Sequence, residues 1–192
     1  SHHLIVTGRT GCGKFLETLI QSNEWSNNHF LRLARSGEIQ YIAGMEIRSY
    51  RVKIAGIRPL TAEVHELALK VMEPPSLTFR PGQSIAITVP SSASHQGVRR
   101  YYSVSSPPSV TDHLSLLFNG GEQGVGAQFL RNQALGQELM VEGPFGSFYL
   151  QDDPEQKLLF VATGTGIAPI RSMIATVLES GRTQPMTLLW GL

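Results

Sequence analysis

Between Met45 and about Leu150, apolar and polar positions alternate in short runs. Tyr50-Val52-Ile54, Leu67-Leu69-Val71 and Ile85-Ile87-Val89 each place apolar residues at every second position, which marks strands with one face buried and one in water. Arg80-Pro81-Gly82-Gln83 punctuates the second and third of these runs, and Ser105-Ser106-Pro107-Pro108-Ser109 closes the strand that follows them. Leu114-Ser-Leu-Leu-Phe118 and Glu138-Leu-Met-Val-Glu142 read as further strands, Gly143-Pro-Phe-Gly-Ser-Phe148 reads as a turn, and a helical stretch opens at Gly124. Short strands at this spacing predict a closed or nearly closed antiparallel barrel.

From about Gln156 the pattern changes. Lys157-Leu-Leu-Phe-Val-Ala162 is a short continuous apolar run, as expected of a parallel strand covered on both faces. A glycine turn follows, then a helical stretch from Ile167 to Ser180 and a second buried-looking strand, Met186-Thr-Leu-Leu-Trp190. This is the β-α-β start of a dinucleotide-binding sheet. The predicted fold class is thus β barrel plus α/β, with boundaries at 1–44 (an extension of unknown role), 45–150 (the barrel) and 151–192 (a partial dinucleotide domain). Two strands and one helix cannot cover both faces of a parallel sheet, so Leu192 reads as a truncation point. Leu158, Phe160, Leu188 and Trp190 are expected to lack a covering layer.

The first 44 residues carry a different signal. Gly8-Arg-Thr-Gly-Cys-Gly-Lys14 follows the apolar His3-Leu-Ile-Val-Thr7 and has the glycine and lysine spacing of a phosphate-binding loop. Phe15 stands where the magnesium-holding hydroxyl belongs, and no complete nucleotide-binding fold fits in so short a segment. A helical or irregular extension is the plainer expectation.

Composition narrows the class. The chain has 192 residues, 41% hydrophobic and 16% charged, with a net charge of +1, enough for a sizeable core and without the basic excess of a general nucleic-acid binder. No apolar run approaches the roughly 20 residues of a membrane-spanning helix. One cysteine, Cys12, excludes an intrachain disulfide framework and a four-cysteine cluster supplied by this chain alone. No metal site is expected, and a reducing, cytoplasmic setting follows as the default.

The chemistry concentrates in Val98-Arg-Arg-Tyr-Tyr-Ser-Val-Ser-Ser106. Strand alternation puts Arg100 and Tyr102 on one face and Ser103 on the other. A guanidinium grips phosphate, a ring stacks on a flat heterocycle, and a hydroxyl hydrogen-bonds a ring nitrogen. A flavin nucleotide offers all three targets; an ordinary aromatic-rich strand is the plain alternative, and Tyr101 reads as packing. Gly124-Val-Gly-Ala-Gln-Phe-Leu130 opens a helix whose first backbone N–H groups can meet an anion. Val161-Ala-Thr-Gly-Thr-Gly-Ile-Ala-Pro169 is a glycine turn between strand and helix.

In order and spacing these motifs resemble the ferredoxin–NADP reductase superfamily, and within it the bacterial oxygenase-reductase type, over Met45 to Leu192. The resemblance implies a flavin-binding barrel with one helix, for which Gln123 to Ala134 is the natural place, followed by a nicotinamide-nucleotide domain. It implies that Arg100 holds the flavin pyrophosphate and that Tyr102 lies against the isoalloxazine. Ser103 would donate to flavin N5, with Val104 beside it. Gly124, Gly126, Ala127 and Gln128 would form the second phosphate contact, and Gly164, Thr165 and Gly166 would place the nicotinamide. Ser103 and Thr165 are the implied catalytic positions. Ala127 departs from the family's usual serine or threonine, which implies weaker flavin retention. FAD is the implied cofactor, with FMN as the alternative, and NAD(P)H the electron donor. The implied partner is an iron–sulfur protein or oxygenase component. Related reductases often carry an iron–sulfur domain before the barrel; Ser36-Gly-Glu-Ile-Gln-Tyr41 is faintly similar to one, but lacks the cysteines. Two other readings stay open: a flavin-binding module inactive as a truncated chain, poor at oxidising NAD(P)H even when loaded, and a phosphate-loop nucleotide-binding protein.

Overall fold

The structure, a computed structural model, describes residues 2–7, 46–91, 94–121, 124–151 and 157–191. The phosphate-loop-like Gly8–Lys14 and the segment Ser36–Tyr41 lie outside the described residues. In chain order the elements are β1 (His2–Thr7), β2 (Arg48–Pro59), β3 (Val64–Glu73), β4 (Ser84–Ser91), β5 (Ser94–Ser103), β6 (His113–Asn119), α1 (Val125–Arg131), β7 (Glu138–Phe145), β8 (Lys157–Thr163), α2 (Ile167–Glu179) and β9 (Met186–Gly191).

The alternating segments form one antiparallel sheet of six strands in the order β5-β4-β7-β2-β3-β6. Its outer strands curl toward each other. Val104 bridges to Leu116, and the Ser105 N–H donates to the Ser115 carbonyl at 2.7 Å, so the barrel is nearly closed. The inward positions are those that period two selects: Val52 and Ile54, Leu67 and Leu69, Ile85 and Ile87, Leu114 and Leu116 are all buried in one core, which Leu130 of α1 joins.

Two boundaries differ from the expectation. Gly143-Pro144-Phe145 belongs to β7 and is not turn: Gly143 pairs with Arg48, and Phe145 pairs with Ser84. A Cβ on Gly143 would sit 3.0 Å from Ile85 Cγ2, so its absence lets β7 run close against β4. The turn begins at Gly146, whose φ of +97° suits glycine. The helix is also shorter than Gln123 to Ala134, covering only Val125–Arg131.

The second unit is a parallel sheet in the order β1-β8-β9. Here the helical or irregular extension is corrected for its first residues, because His2–Thr7 is a strand, in register with β8 from His2 beside Lys157 to Thr7 beside Ala162. Its Leu-Ile-Val run favours extended structure, and β8 would otherwise present an unpaired edge there. On α2, Ile170, Met173 and Val177 recur at helical spacing and pack with Leu158, Phe160 and Ala162 of β8. Leu158 and Phe160 are therefore buried, contrary to the expectation that they lack cover. Leu188 and Trp190 on β9 are 40% and 49% exposed.

Candidate functional site

A cleft of about 530 Å³ opens where the barrel meets the parallel sheet. Arg100, Tyr101, Tyr102 and Ser103 line it from β5, Gly124, Gly126 and Ala127 from the start of α1, and Gly164, Thr165 and Gly166 from the turn after β8. Three motifs more than 20 residues apart in sequence thus converge on one cavity.

Local geometry explains the convergence. Arg100 and Tyr102 both lean toward α1, since a Cβ on Gly126 would lie 2.5 Å from the Tyr102 hydroxyl and 3.1 Å from Arg100 Cγ. Glycine at 126 is what lets both side chains lie across the helix start. Arg99, on the opposite face, is held away by a 2.6 Å ion pair with Glu142. The Ser103 hydroxyl is 3.5 Å from that of Ser84, its cross-strand partner on β4. Buried Gln83 fastens the cleft's lower loops: its Oε1 accepts from the Arg80 N–H at 2.8 Å, and its Nε2 donates to the Gly146 carbonyl at 3.0 Å.

The helix start supplies fewer donors than the sequence motif suggests. The N–H groups of Val125, Gly126 and Ala127 precede the first intrahelical bond. That of Gln128 already donates to the Gly124 carbonyl at 3.0 Å, and the Gln128 side chain is exposed. Gln128 does not line the cleft. Neither does Val104, which is fully buried in the barrel core and whose N–H donates to the Gln83 carbonyl. Tyr101, read as packing, is 49% exposed at the cleft, with its ring edge-on to Phe145 at 5.3 Å.

On the far wall, a tight turn runs from Thr163 through Gly164, Thr165 and Gly166 into α2. Gly164 has φ +50°, and its carbonyl accepts from Trp190 Nε1 at 3.2 Å. The cleft is also lined by residues that sequence reasoning missed. Gly82, Ser84, Gly146 and Phe148 come from the barrel loops and strand starts, and Leu117, Phe118 and Asn119 from β6. Thr163, Ala168 and Pro169 flank the glycine turn and were within reach of the motif. For β6 no signal existed, because its alternation reports only the core face. Among the described residues no three His, Cys, Asp or Glu side chains are grouped to hold a metal ion, and no helix is long and apolar enough to cross a membrane.

Comparison with known proteins fits this geometry. Residues 51–149 match the family model described as the oxidoreductase FAD-binding domain, and residues 160–192 match the oxidoreductase NAD-binding domain. The reductase component of propane 2-monooxygenase from Gordonia sp. (strain TY-5) is 28% identical over 162 residues, covering 84% of this chain and 46% of the relative. Ferredoxin–NADP reductase B from Sorangium cellulosum is 29% identical over 147 residues, covering 77% of this chain and 59% of the relative. The chain therefore spans about half the length of the curated relatives it matches. Phthalate dioxygenase reductase, described as a modular structure for electron transfer from pyridine nucleotides to [2Fe-2S], shares the fold with a TM-score of 0.63 at 21% identity, over 73% of this chain and 43% of that one. A barrel matched over more than half of the chain, and a cleft built where that barrel meets a nicotinamide-type turn, place this protein in the oxidoreductase FAD-binding domain family of the ferredoxin–NADP reductase superfamily.

Proposed function

We propose that the chain is the FAD-binding part, with the beginning of the nicotinamide-binding part, of an NAD(P)H-dependent reductase. Its electrons would pass through FAD to an iron–sulfur protein or oxygenase component in a cytoplasmic setting. The observation that carries this reading is one cleft lined from both units, by Arg100, Tyr102 and Ser103 of β5 and by the Gly164-Thr165-Gly166 turn. Relatives named as reductase components of monooxygenases supply the class of acceptor.

The residues present fit a flavin nucleotide. Gly126 leaves a cradle beside Arg100 and Tyr102 that any side chain would fill. Arg100, with a permanent charge and several donors, suits the pyrophosphate, joined by the backbone N–H groups of Val125, Gly126 and Ala127. Tyr102 offers its ring to the isoalloxazine. The Ser103 hydroxyl, 3.5 Å from that of Ser84, would hydrogen-bond the reactive edge of the ring system. Thr165 and Gly166, on the opposite wall, would orient the nicotinamide by close backbone approach. Bound FAD supplies the chemistry that no side chain here can, accepting two electrons from a nicotinamide and releasing them one at a time.

The test is anaerobic. The purified chain should take up one FAD, and NADH or NADPH should bleach its visible absorbance. Absence of flavin uptake overturns the reading. Uptake without bleaching would favour a flavin-binding module.

A further inference from the structure

Helix α2 starts where the Gly164–Gly166 turn ends, and it is fastened to the barrel along its length. One turn in, Arg171 Nη1 donates to Glu66 Oε1 on β3 at 2.5 Å, while the other oxygen of that carboxylate accepts from Arg58 Nη2 on β2 at 2.6 Å. The next residue, Ser172, is fully buried and donates its hydroxyl to the Ser106 carbonyl at 2.7 Å. At the far end, the Ser109 hydroxyl donates to Glu179 Oε2 at 2.6 Å.

Glu66 is unusual among the ion-paired residues. Its side chain is only 12% exposed, whereas the Arg48–Glu46 and Arg51–Glu73 pairs leave both partners well exposed. Burial alone pushes its carboxyl up; the hydrogen bonds and charges of Arg171 and Arg58 outweigh this and hold it below the ordinary carboxylate value. An exposed ion pair contributes little, but removing one partner of a largely buried carboxylate leaves a poorly solvated charge. Its position matters as well. Glu66 stands opposite Leu117 on β6, and Leu117 lines the cleft. The pair therefore ties one wall of the cleft to the helix that carries the other.

We infer that Glu66 and Arg171 are positioning residues, which hold the Gly164-Thr165-Gly166 turn at a set distance from Ser103 by locking α2 to the barrel. The inference rests on the function proposed above. Transfer between two stacked rings needs the reacting atoms about 3–3.5 Å apart, and a misplacement of about 1 Å costs on the order of a hundredfold in rate. Neither Glu66 nor Arg171 lines the cleft, so their effect must pass through the helix.

Trp190 is a built-in reporter, because its Nε1 is bonded to the Gly164 carbonyl and it moves with the turn. In a Trp25→Phe background it is the only tryptophan, and energy transfer to bound FAD shortens its fluorescence lifetime according to separation. The parent chain should show one short lifetime. Arg171→Met and Glu66→Gln should broaden and lengthen it, slow anaerobic bleaching by NADH about tenfold or more, and leave FAD affinity within about twofold. Arg171→Lys, which keeps the charge, should recover most of both losses. Unchanged lifetimes and rates in Arg171→Met would overturn the inference, and so would a matching loss of FAD affinity, which would mean that the pair supports the barrel itself. Failure of the parent chain to take up FAD would instead sink the functional reading, and the positioning role with it.

Discussion

Gly126→Ala is the sharpest perturbation the cleft allows. The added methyl would lie 2.5 Å from the Tyr102 hydroxyl and 3.1 Å from Arg100 Cγ, against an ordinary contact of about 3.5–4.0 Å. The phenol must move by about 1 Å and the Arg100 stem by several tenths. Residue 126 lies in the first turn of α1, where alanine is favoured over glycine by about 1 kcal/mol of helix propensity. Folding should thus survive, and the damage should fall on the cleft. If Arg100 loses its charge-assisted phosphate contact, about 1.5–3 kcal/mol disappears, which is roughly a tenfold to hundredfold rise in the FAD dissociation constant. Gly56 supplies the control, because it lies outside the cleft and a Cβ there meets only the Ala68 Cβ at 4.0 Å. Gly56→Ala should shift FAD affinity by less than about threefold. Flavin fluorescence titration and thermal melts of the flavin-free chain read the two effects separately. Near-wild-type FAD binding by Gly126→Ala, or equal losses in both variants, would refute the placement of Arg100 and Tyr102 across the helix start.

Arg100→Ala should weaken FAD binding by about tenfold or more, while Arg99→Ala, which breaks only the ion pair with Glu142, should barely change it; equal effects in a titration would show the clamp to be misplaced. Ala127→Ser should tighten FAD about fivefold by adding a hydroxyl worth about 1 kcal/mol at the cleft wall, and an unchanged constant would mean that the backbone alone serves there. Glu66 predicts a pH response. Its folded pKa lies below the ordinary value of 4.5 through Arg171 on α2 and Arg58 on β2, so its contribution is complete above that value and is lost only as pH falls through the lowered one. The Trp190 lifetime should hold steady from about pH 8 to pH 5, and loosening near neutral pH would contradict this.

Much of this was legible in the residues, for a physical reason. Period-two alternation reports burial directly, so every barrel strand and most of its core could be read from Tyr50, Val52, Leu67, Ile85 and their repeats. The chemistry-bearing motifs sit at element ends, at the close of β5, the start of α1 and the turn after β8, where glycine and polar residues stand out against apolar runs. The failures have physical causes too. Gly143–Phe145 looked like a turn because Gly-Pro usually is one, yet here the missing Cβ serves strand packing against Ile85. Gln128 is expected within the helix-start contact, and its backbone N–H is already used inside the helix. Leu158 and Phe160 were expected to be bare because the count of strands overlooked how much of β8 one amphipathic helix covers. Glu66, Arg171 and Ser172 carried no signal at all, since each meets its partner only through tertiary structure.

Gly82 shows why the two units cannot be treated as independent modules joined by a linker. As sequence it is turn punctuation between strands, and its φ of +107° satisfies that reading. The same missing side chain has a second role. A Cβ at Gly82 would overlap Met173 Cε of α2 and lie 2.6 Å from the Phe148 carbonyl oxygen. Phe148 and Leu150 then pack into the core beneath α2, and the Leu150 N–H donates to the Pro81 carbonyl at 3.1 Å. The barrel's own turn is thus a contact surface for the nicotinamide-side helix, and Gly82 lines the cleft between them. Any side chain there must displace the Met173 side chain and shift the chain at Phe148, so the packing of α2 on the barrel depends on the close contact at Gly82 as well as on the charges at Glu66.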